Sequence, residues 1–360
     1  MAAAPLDILI SGGGPVGCTL ALALRDSPHR VALVERAPAP ERARALSLRP
    51  IALSYASRLI LERVGVWPML SPTPIETIHV SQAGGFGRVR MDAAEARVPA
   101  LGYVVEYGAL SAALSDRIGA SGIEVLNGAA HSAARCVAHA EGHAEDANEK
   151  RYDQDAVVGL LETSPAAGNT AFERFTSEGP LALLPLAGRY AFVWGARPER
   201  ARALAQAPER EFLQELAHTI GARAGRPVSV EGRAVHPLAL RVRASRIGAR
   251  EVFVGNAAQT LHPVAGQGLN LGLRDAWQLA VIWRDAEDPG APAVLERFAA
   301  RRRLDVGATI RLTDLLASVF LGANPILGAA RGLALSALDV LPPARRFFAR
   351  RMIYGSSAIP

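Results

Sequence analysis

The sequence contains little lysine and little cysteine, and each shortage limits what the protein does. Lys150 is the sole lysine among 40 basic residues, so arginine carries almost all of the positive charge, and the formal net charge is +6. We attribute this bias to genome composition, because no dense basic run with interleaved aromatic residues indicates a nucleic-acid partner. Cys18 and Cys136, the two cysteines, exclude a disulfide framework and a cysteine-based zinc site, and they suit a reducing cytoplasm.

Long apolar runs are also missing. No uninterrupted apolar stretch reaches transmembrane length, and the N-terminus enters a strand after a few small residues, so we expect neither a membrane span nor a signal peptide. His79 and His236 have no ligand-like spacing to an acid or to another histidine, which predicts no metal site. The chain has 360 residues, half of them apolar, and is long enough for a large core and two domains.

A glycine-rich turn near the N-terminus predicts dinucleotide binding. Residues 6–10 read as a strand, and the turn that follows matches G-x-G-x-x-G through Gly12, Gly14, Pro15, Val16 and Gly17. A helical pattern and a second strand come next, and that strand ends in Glu35. The glycines permit a tight turn and close approach to a pyrophosphate, and the acid can bind ribose hydroxyls. The alternative is a glycine turn in a βαβ unit that binds nothing.

A second strand-to-helix junction, over residues 252–270, is the most informative segment. Its apolar start predicts a buried strand, a polar loop follows, and Gly266, Gln267 and Gly268 open a long helical pattern. A helix N-terminus, with free amides and the positive end of the helix dipole, holds an anion or an electron-rich ring edge. Together with the glycine turn, this junction predicts a flavin that is stretched between two distant parts of one domain.

These motifs resemble those of the class A flavoprotein monooxygenases. More narrowly, they are similar to the ubiquinone-biosynthesis hydroxylases, the polyprenyl-methoxyphenol hydroxylase group. The segment from residue 256 to residue 276 resembles the second flavin motif of that family. Other similar segments cover most of the chain, at residues 49–54, 59–67, 74–81, 101–105, 171–176, 179–185, 302–305 and 313–315.

The resemblance implies an α/β architecture. A Rossmann-like, discontinuous FAD-binding domain carries an inserted mixed β-sheet substrate domain and is followed by C-terminal helices. We place the FAD-binding domain at residues 1–70, 97–135 and 246–290, the substrate-domain sheet at 71–96 and 152–245, and the C-terminal helical segment at 291–360. Alternation in residues 78–81 and the apolar run 190–194 independently predict strands, with Phe192 and Trp194 as core aromatic residues.

Aromatic hydroxylation of a polyprenylated ubiquinone precursor is the chemistry that the resemblance implies. NAD(P)H, bound transiently without a domain of its own, would reduce FAD, and the reduced flavin would react with O2 to oxygenate an activated ring. The helix beginning near Gly268 would stabilise negative charge on the flavin. The family pattern assigns catalytic positions to Pro263, Gly266 and Gln267. It assigns cofactor binding to the glycine turn and to Glu35, Arg49, Asn256, Gly268, Leu269 and Asn270.

Two of the singled-out side chains have an alternative role. Arg49 either contacts the flavin or its phosphates, or it pairs with a carboxylate such as Glu35. His262 either poises a proton near the flavin or is a hydrogen-bonded structural residue, and we favour the structural role. Either outcome leaves the flavin hypothesis intact.

Two departures from the family pattern bear on activity. The second motif of the family starts with Gly-Asp, whereas this chain has Gly255-Asn256, and an amide lacks the charge-assisted bond that an aspartate makes. The Asp-Gly motif of the family is not found, because residues 139–150 predict a solvated loop. Asn127-Gly128 with residues 132–135 would be an altered remnant. About twenty to thirty residues of a strand–crossover–strand unit would then be absent.

Three functions are consistent with these features. An active FAD-dependent hydroxylase comes first, because both flavin motifs are present. A degenerate flavoprotein, acting as a non-catalytic partner in a ubiquinone-biosynthesis complex, comes second. An NAD-dependent dehydrogenase is a distant third, because the second flavin motif would have no purpose in it. Short motifs do not encode the ring position, the choice between NADH and NADPH, or the oligomeric state.

The C-terminal region predicts where the protein works. Residues 315–341 are apolar, and arginines then alternate with large apolar residues from Arg345 to Tyr354. This spacing suits an anionic membrane surface, from which a polyprenylated substrate would be reached. We therefore expect a cytoplasmic protein that is peripheral on the inner membrane face. The alternative is a helix that packs on the FAD-binding domain and exposes a solvated basic face.

Overall fold

The computed structural model describes residues 5–35, 49–127, 134–142, 146–262, 266–319 and 325–355. The chain divides into two compact units. Unit 1 comprises residues 1–71, 106–150 and 240–310, and unit 2 comprises residues 72–105, 151–239 and 311–360. Relative to the predicted boundaries, residues 97–105 fall in unit 2 and residues 291–310 fall in unit 1.

The described elements alternate between strands and helices along the chain. The strands are β1 (Leu6–Ser11), β2 (Val31–Glu35), β3 (Pro50–Ser54), β4 (Thr73–Ile75), β5 (Thr77–Gln82), β6 (Arg88–Asp92), β7 (Gly102–Glu106), β8 (Glu124–Asn127), β9 (Ala134–His139), β10 (Ala147–Ser164), β11 (Thr170–Phe175), β12 (Pro180–Leu186), β13 (Arg189–Ala196), β14 (Arg226–Arg243), β15 (Ile247–Gly248), β16 (Glu251–Phe253) and β17 (Gln259–Thr260). The helices are α1 (Pro15–Leu24), α2 (Tyr55–Arg63), α3 (Ala93–Ala96), α4 (Tyr107–Gly119), α5 (Pro198–Gln206), α6 (Glu209–Ile220), α7 (Gln267–Arg284), α8 (Pro292–Val319), α9 (Pro325–Val340) and α10 (Pro342–Tyr354).

Unit 1 contains a sheet in the order β15-β16-β9-β1-β2-β8, with all pairs parallel except that of β15 with β16. Strand β1 is central, and its Ile8 pairs with Val31 on one side and with Cys136 on the other. Helix α1 is almost entirely buried because it packs against both α4 and α7. Burial raises the pKa values of Cys18 and Cys136 to about 12, so both thiols are inert parts of the core.

Unit 2 contains a mixed sheet in the order β14-β10-β13-β12-β11-β5-β6. Strands β11 and β5 form a parallel pair, whereas β10–β13, β12–β13, β11–β12 and β5–β6 are antiparallel. On one face Phe192 and Trp194 pack against Leu204 of α5 and Phe212 of α6. The prediction that both aromatic residues belong to the core is confirmed. Full burial of a side chain of this size contributes about 1.5–3 kcal/mol.

Strand β6 forms an edge of the unit 2 sheet, and α9 covers it. The carboxylate of Asp339 accepts a hydrogen bond from the backbone N–H of Arg90 at 3.2 Å, which uses a donor that an edge strand leaves unpaired. A Cβ atom at Gly87 would lie 2.4 Å from the carbonyl oxygen of Gly332. Both positions are therefore glycine, because the β5–β6 hairpin and α9 approach each other at backbone distance.

Helix α10 packs within unit 2. Arg345 donates two hydrogen bonds, of 2.8 and 2.9 Å, to the carboxylate of Glu95 in α3. Ala349 and Ile353 lie on the buried side of the helix. The opposite side of the helix is also partly apolar, because Phe347 there is 73% exposed. Among the helices that the structure describes, none combines the length and apolarity needed to cross a membrane.

Candidate functional site

The glycine turn joins β1 to α1 and is shaped by two close approaches. Gly12 has φ +115°, and a Cβ atom there would lie 2.5 Å from the carbonyl oxygen of Ala140. A Cβ atom at Gly17 would lie 1.9 Å from the carbonyl oxygen of Gly12. At Gly14, in contrast, the nearest atom would be the Tyr107 hydroxyl at 4.0 Å. Gly12 and Gly17 therefore make the turn possible, whereas Gly14 leaves open space in front of the backbone.

Helix α1 presents an uncapped N-terminus at this turn. Pro15 occupies the first turn of the helix, where its missing N–H removes no hydrogen bond, and the preceding Gly14 provides no side-chain cap. The remaining free amides and the positive end of the dipole point out of a ten-residue helix. Such an end binds a phosphate group. Val16 follows Pro15 and turns its side chain inward, as described below.

Glu35 ends β2 beside the same turn. A Cβ atom at Gly13 would lie 2.9 Å from the Cγ atom of Glu35, so the acidic side chain lies directly over the glycine turn and is exposed. Arg49 is also exposed, and its carbonyl oxygen accepts a 2.8 Å hydrogen bond from the N–H of Tyr107. No ion pair joins the Arg49 guanidinium to Glu35 in the described parts of the chain. With respect to the described residues, the Arg49 guanidinium is thus available to bind an anion.

The second motif lies against the first through Val16. A Cβ atom at Gly255 would lie 3.0 Å from Val16 Cγ2, and one at Gly272 would lie 2.7 Å from the same atom. Val16 therefore fills a notch between two glycines, one in the turn after β16 and one in α7. Two segments more than two hundred residues apart in the sequence meet within unit 1. This contact is what a single extended cofactor requires of both motifs.

Helix α7 begins at Gln267 and also has no side-chain cap. Its N-cap residue, Gly266, has φ +58°, and a Cβ atom there would approach Ala52 Cβ to 3.2 Å. Around Gly268 a Cβ atom would meet no atom of the described residues within 4 Å, so they leave space open in front of the first turn. Leu269 is half-buried in the same turn, and Gln267 is buried. Pro263 lies outside the described residues. The open first turn can supply backbone donors to an electron-rich group.

The side chain of Asn270, a residue that the family resemblance assigned to cofactor binding, is engaged within unit 1. Its Oδ1 atom accepts hydrogen bonds from the Ser54 N–H at 2.8 Å and from the Ser57 hydroxyl at 2.7 Å. Its Nδ2 atom donates to the carbonyl oxygens of Ala52 and Gly266, at 3.0 and 2.7 Å. The side chain is fully used in joining β3 and α2 to α7. The side chain of Asn270 therefore positions these elements. Any contact of Asn270 with the cofactor is left to its backbone.

Asn256 lies in the short 3-10 turn Gly255–Ala257 after β16. Its side chain is exposed and makes no hydrogen bond within the described residues. The backbone next to Asn256 is fixed by a hydrogen bond, because the Gly255 N–H donates to Asp275 Oδ2 at 3.4 Å. Asn256 therefore presents an unused amide group to solvent at the junction of the two motifs. His262 is buried at 1% exposure.

A histidine–glutamate pair that the sequence did not indicate lies at the end of β9. His139 Nδ1 is 3.0 Å from Glu141 Oε1, and the His139 ring stacks on Phe253 with centroids 4.6 Å apart. The hydrogen bond to Glu141 raises the pKa of His139. For Glu141, burial acts against ionisation, but the hydrogen bonds from His139 and Ser11 outweigh it and lower the pKa. The pair lies beside the glycine turn, because Ala140 N–H donates to Ser11.

The predicted solvated loop over residues 139–150 is therefore wrong at both ends. His139 is the last residue of β9, and Ala147 begins β10, while residues 143–145 lie outside the described chain. An acid–glycine pair, Glu141-Gly142, does follow a strand that is paired with β1. The buried alternation of Cys136 and Ala138 was the signal for that strand. Gly128 and residues 132–133, the suggested remnant, lie outside the described chain.

A buried network of charged side chains holds the segment of the second flavin motif in place. Asp275, Arg302 and Asp305 are 0% exposed, and Arg274 is 2% exposed. Arg302 donates to both aspartates at 2.7 Å, and Arg274 donates to Asp305 at 2.9 Å. Burial lowers the pKa of Arg274, whereas the two carboxylates outweigh burial at Arg302 and raise its pKa. The network joins α7 to α8. No group of three potential metal ligands occurs among the described residues.

These residues fit FAD. Uncapped helix N-termini suit the pyrophosphate and the ring edge, the Glu35 carboxylate suits the ribose hydroxyls, and Asn256 offers a free amide between them. The open space at Gly14 and at Gly268 is where a side chain would otherwise block the cofactor. All of these positions belong to unit 1.

Comparison with known proteins agrees with this site. The family described as "FAD binding domain" matches residues 130–313. A ubiquinone hydroxylase, UbiL, of Rhodospirillum rubrum is 32% identical, over 96% of this chain and 88% of the relative. The 3-demethoxyubiquinol 3-hydroxylase of Escherichia coli is 30% identical, over 93% of this chain and 95% of the relative. The crystal structure of p-nitrophenol 4-monooxygenase PnpA from Pseudomonas putida shares the fold, with a TM-score of 0.76 and 17% identity over 98% of this chain and 99% of that one.

The FAD-binding family match and the hydroxylases among the relatives define an FAD-dependent monooxygenase. Within that class, the chain belongs to the family of ubiquinone-biosynthesis hydroxylases. The predicted family, the α/β fold class with its mixed sheet and the use of FAD are thereby confirmed.

Proposed function

We propose that this chain hydroxylates an aromatic ring of a polyprenylated ubiquinone precursor, with NAD(P)H as transient reductant and O2 as oxidant. The observation that carries the proposal is the contact of Val16 with Gly255 and Gly272, because it brings both uncapped helix ends into one unit. The names of the relatives support the substrate class. A dehydrogenase would not need the second motif.

The residues of unit 1 would hold FAD in an extended conformation. The amides of α1 would bind the pyrophosphate, and Gly14 would allow its close approach. Glu35 would accept hydrogen bonds from the ribose hydroxyls, and Asn256 would contact the ribityl chain. When bound, FAD supplies the electron transfer and the oxygen activation. The first turn of α7 would stabilise negative charge at the ring edge.

Two further assignments belong to this proposal. Arg49 is exposed and free of a carboxylate partner among the described residues, and a guanidinium in that state suits a phosphate of FAD or of the nicotinamide cofactor. NAD(P)H would bind without its own domain, because the sequence has no second strand-linked glycine fingerprint. Pro263, Gly266 and Gln267 remain the proposed positions nearest the reacting ring.

Glu173 on β11 is the residue of unit 2 that we assign to the substrate. It is flanked across the sheet by Val80 and Ala182, on the face opposite to Phe172, which packs toward α5 and α6. No described group forms a hydrogen bond or ion pair with its carboxylate. Glu173 is half-buried, and desolvation of its carboxyl group raises its pKa to about 7. A carboxyl group that titrates near the working pH can remove the proton of a ring hydroxyl, which activates the ring toward oxygenation.

The degenerate-partner alternative is kept because of Asn256, which lacks the charge of an aspartate. Both functions predict binding to other ubiquinone-biosynthesis proteins, so complex formation does not separate them. Flavin content and turnover do. An active hydroxylase should purify yellow, or become yellow with added FAD, and should consume NAD(P)H faster when a polyprenylated phenol is present. Mass spectrometry should then detect a product that has gained one oxygen atom. A colourless protein that stays colourless with FAD would overturn the proposal.

A further inference from the structure

Three arginine side chains converge on one cleft in unit 2. Arg174 on β11 is directly opposite Ser81 on β5, and Ser81 is directly opposite Arg88 on β6. Residues in one such row point to the same side of the sheet, and the outer two backbones are about 10 Å apart. Arg223, in the short 3-10 turn Ala222–Ala224, provides the third guanidinium. We call the space that they line the arginine cleft, and its volume is about 490 Å3.

Backbone contacts and hydrogen bonds fix the walls of the arginine cleft. The β5–β6 hairpin and α9 form two of its sides, and they meet at the Gly87–Gly332 contact described above. Gln82 Nε2 donates to the carbonyl oxygen of Gly328 at 3.2 Å, which ties the end of β5 to α9. Arg174 donates to the Ser81 hydroxyl at 3.4 Å. The cleft is therefore a preformed feature of unit 2.

Positive charge is in excess in the arginine cleft, whose lining has three arginines and one acid, Asp339. No carboxylate pairs with Arg88, Arg174 or Arg223 in the part of the chain that the structure describes. The nearby acid, Asp339, lines the cleft, but its carboxylate accepts the backbone N–H of Arg90. Burial and then the charge of Arg223 lower the pKa of Arg174, whose buried Nε atom has no hydrogen-bond partner. An anion in the cleft would reduce the repulsion between Arg174 and Arg223. A guanidinium group can donate two parallel hydrogen bonds to two oxygens of one phosphate.

The rim of the cleft is apolar and exposed. Phe86 at the hairpin tip is 54% exposed, and Val340 at the end of α9 is 74% exposed. Leu333 is 63% exposed and lies seven residues before Val340, on the same face of the helix. Large apolar side chains that cluster at the surface mark a contact with a partner or a membrane. A soluble anion would account for the arginines but not for this rim.

We propose that the arginine cleft binds the phosphate headgroup of an anionic phospholipid, while Phe86, Leu333 and Val340 enter the outer acyl region. This inference concerns a lipid site away from the flavin residues and does not depend on hydroxylation. It differs from the contact predicted for Arg345–Tyr354, where Arg345 is already held by Glu95. The combination of basic and apolar side chains is the one that interfacial binding requires.

The test is cosedimentation of the full-length protein with vesicles of phosphatidylcholine, with or without phosphatidylglycerol. The double variant Arg88→Gln/Arg223→Gln should bind the anionic vesicles about thirtyfold more weakly, from the loss of two arginine–headgroup interactions. Both residues are exposed and unpaired, so thermal unfolding should be unchanged or shifted upward. Arg202→Gln/Arg210→Gln removes the same charge from exposed positions on α5 and α6 and should lose at most about threefold.

Several outcomes would overturn the lipid site. The parent protein could ignore anionic vesicles, or both double variants could lose binding equally, which would indicate diffuse charge. Saturable binding of NADPH that Arg88→Gln/Arg223→Gln abolishes, without vesicle binding, would reassign the cleft to a soluble phosphate ester. Flavin content should stay the same in all variants. A loss of flavin would instead concern unit 1 and the proposed hydroxylase, so the two proposals fail separately.

Discussion

Asp275 accepts a 2.7 Å hydrogen bond from Arg302 where neither side chain is exposed to solvent. The other oxygen of Asp275 accepts from Gln259 Nε2 at 2.9 Å and from the Gly255 N–H. One carboxylate therefore joins α8 to the turn that carries the second flavin motif. Buried charges need such partners, because removal of either one leaves the other desolvated and unpaired.

We predict that Asp275→Asn lowers the free energy of unfolding by about 3–5 kcal/mol, since it removes the negative charge that Arg302 needs. Denaturant unfolding followed by circular dichroism measures the change. Asp26→Asn is the matched control, because Asp26 pairs with Arg25 at 3.1 Å but is 79% exposed. That surface pair should contribute at most about 1 kcal/mol. Equal losses in the two variants would show that the buried network does not stabilise the fold.

The glycine turn gives a second prediction, because Gly14 and Gly12 differ in what surrounds them. Gly14→Ala should fold normally, since its φ of −75° suits alanine and no atom lies closer than 4.0 Å. Its FAD dissociation constant should rise about tenfold or more, because a methyl group would block the approach of the pyrophosphate. Gly12→Ala should instead destabilise the fold. Fluorescence titration with FAD and thermal unfolding separate these effects.

Gly119→Ala controls for the added methyl group. Gly119 ends α4, has open space around it and does not have a positive φ. FAD affinity and stability should both stay close to those of the parent protein. If Gly14→Ala and Gly119→Ala bind FAD equally well, the pyrophosphate does not approach the glycine turn.

The sequence predicted those features of the site that are formed by residues close together in the chain. The G-x-G-x-x-G turn and the acid at the end of β2 depend on residues close in the chain, so their placement followed from pattern and backbone sterics. The notch that receives Val16 is long-range, and nothing near Gly255 or Gly272 indicates it. The hydrogen bonds of the Asn270 side chain were not predicted for the same reason, because its partners on β3 and α2 are more than two hundred residues away. Strand β9 was missed since its short buried alternation is flanked by polar residues.

Asn256 gives a third prediction. Asn256→Asp should raise the FAD occupancy of the purified protein, because a carboxylate accepts a stronger hydrogen bond from a ribityl hydroxyl than an amide does. The ratio of flavin to protein absorbance measures it. Asn148→Asp introduces the same charge at the exposed start of β10 and should leave occupancy unchanged. Unchanged occupancy in Asn256→Asp would remove Asn256 from the ribityl chain.

The His139–Glu141 pair gives a prediction about pH. The pKa of His139 is raised, so its contribution to stability is complete below pH 6.5 and is lost as the pH rises through the raised value. The pKa of Glu141 is lowered, so its contribution is complete above pH 4.5 and is lost as the pH falls through the lowered value. The pair should therefore stabilise the fold most between pH 4.5 and 6.5.

Thermal unfolding at several pH values tests this window. The Tm difference between the parent protein and His139→Gln should be largest from pH 4.5 to 6.5 and should narrow at higher pH. His218→Gln, at an exposed position on α6, should follow the parent protein throughout. A Tm difference that does not vary with pH would mean that packing on Phe253, and not the ion pair, is what His139 contributes.

Glu173 gives the last prediction, which separates a catalytic carboxylate from a merely buried one. If Glu173 removes the proton of the ring hydroxyl, kcat/KM should rise as the pH increases through about 7. Glu173→Gln should abolish that rise and lower kcat by about 10²–10⁴-fold. Glu199→Gln, at an exposed position on α5, should keep the pH profile of the parent enzyme.

Stability gives an independent measurement at the same residue. Because the pKa of Glu173 is raised from 4.5 to about 7, the folded state holds its proton more tightly than the unfolded chain, and stability falls as the pH rises through this interval. Glu173→Gln should therefore be more stable than the parent protein above pH 7, whatever its activity. A variant that gains this stability but keeps the pH profile of kcat/KM would show that the raised pKa of Glu173 has no part in the reaction.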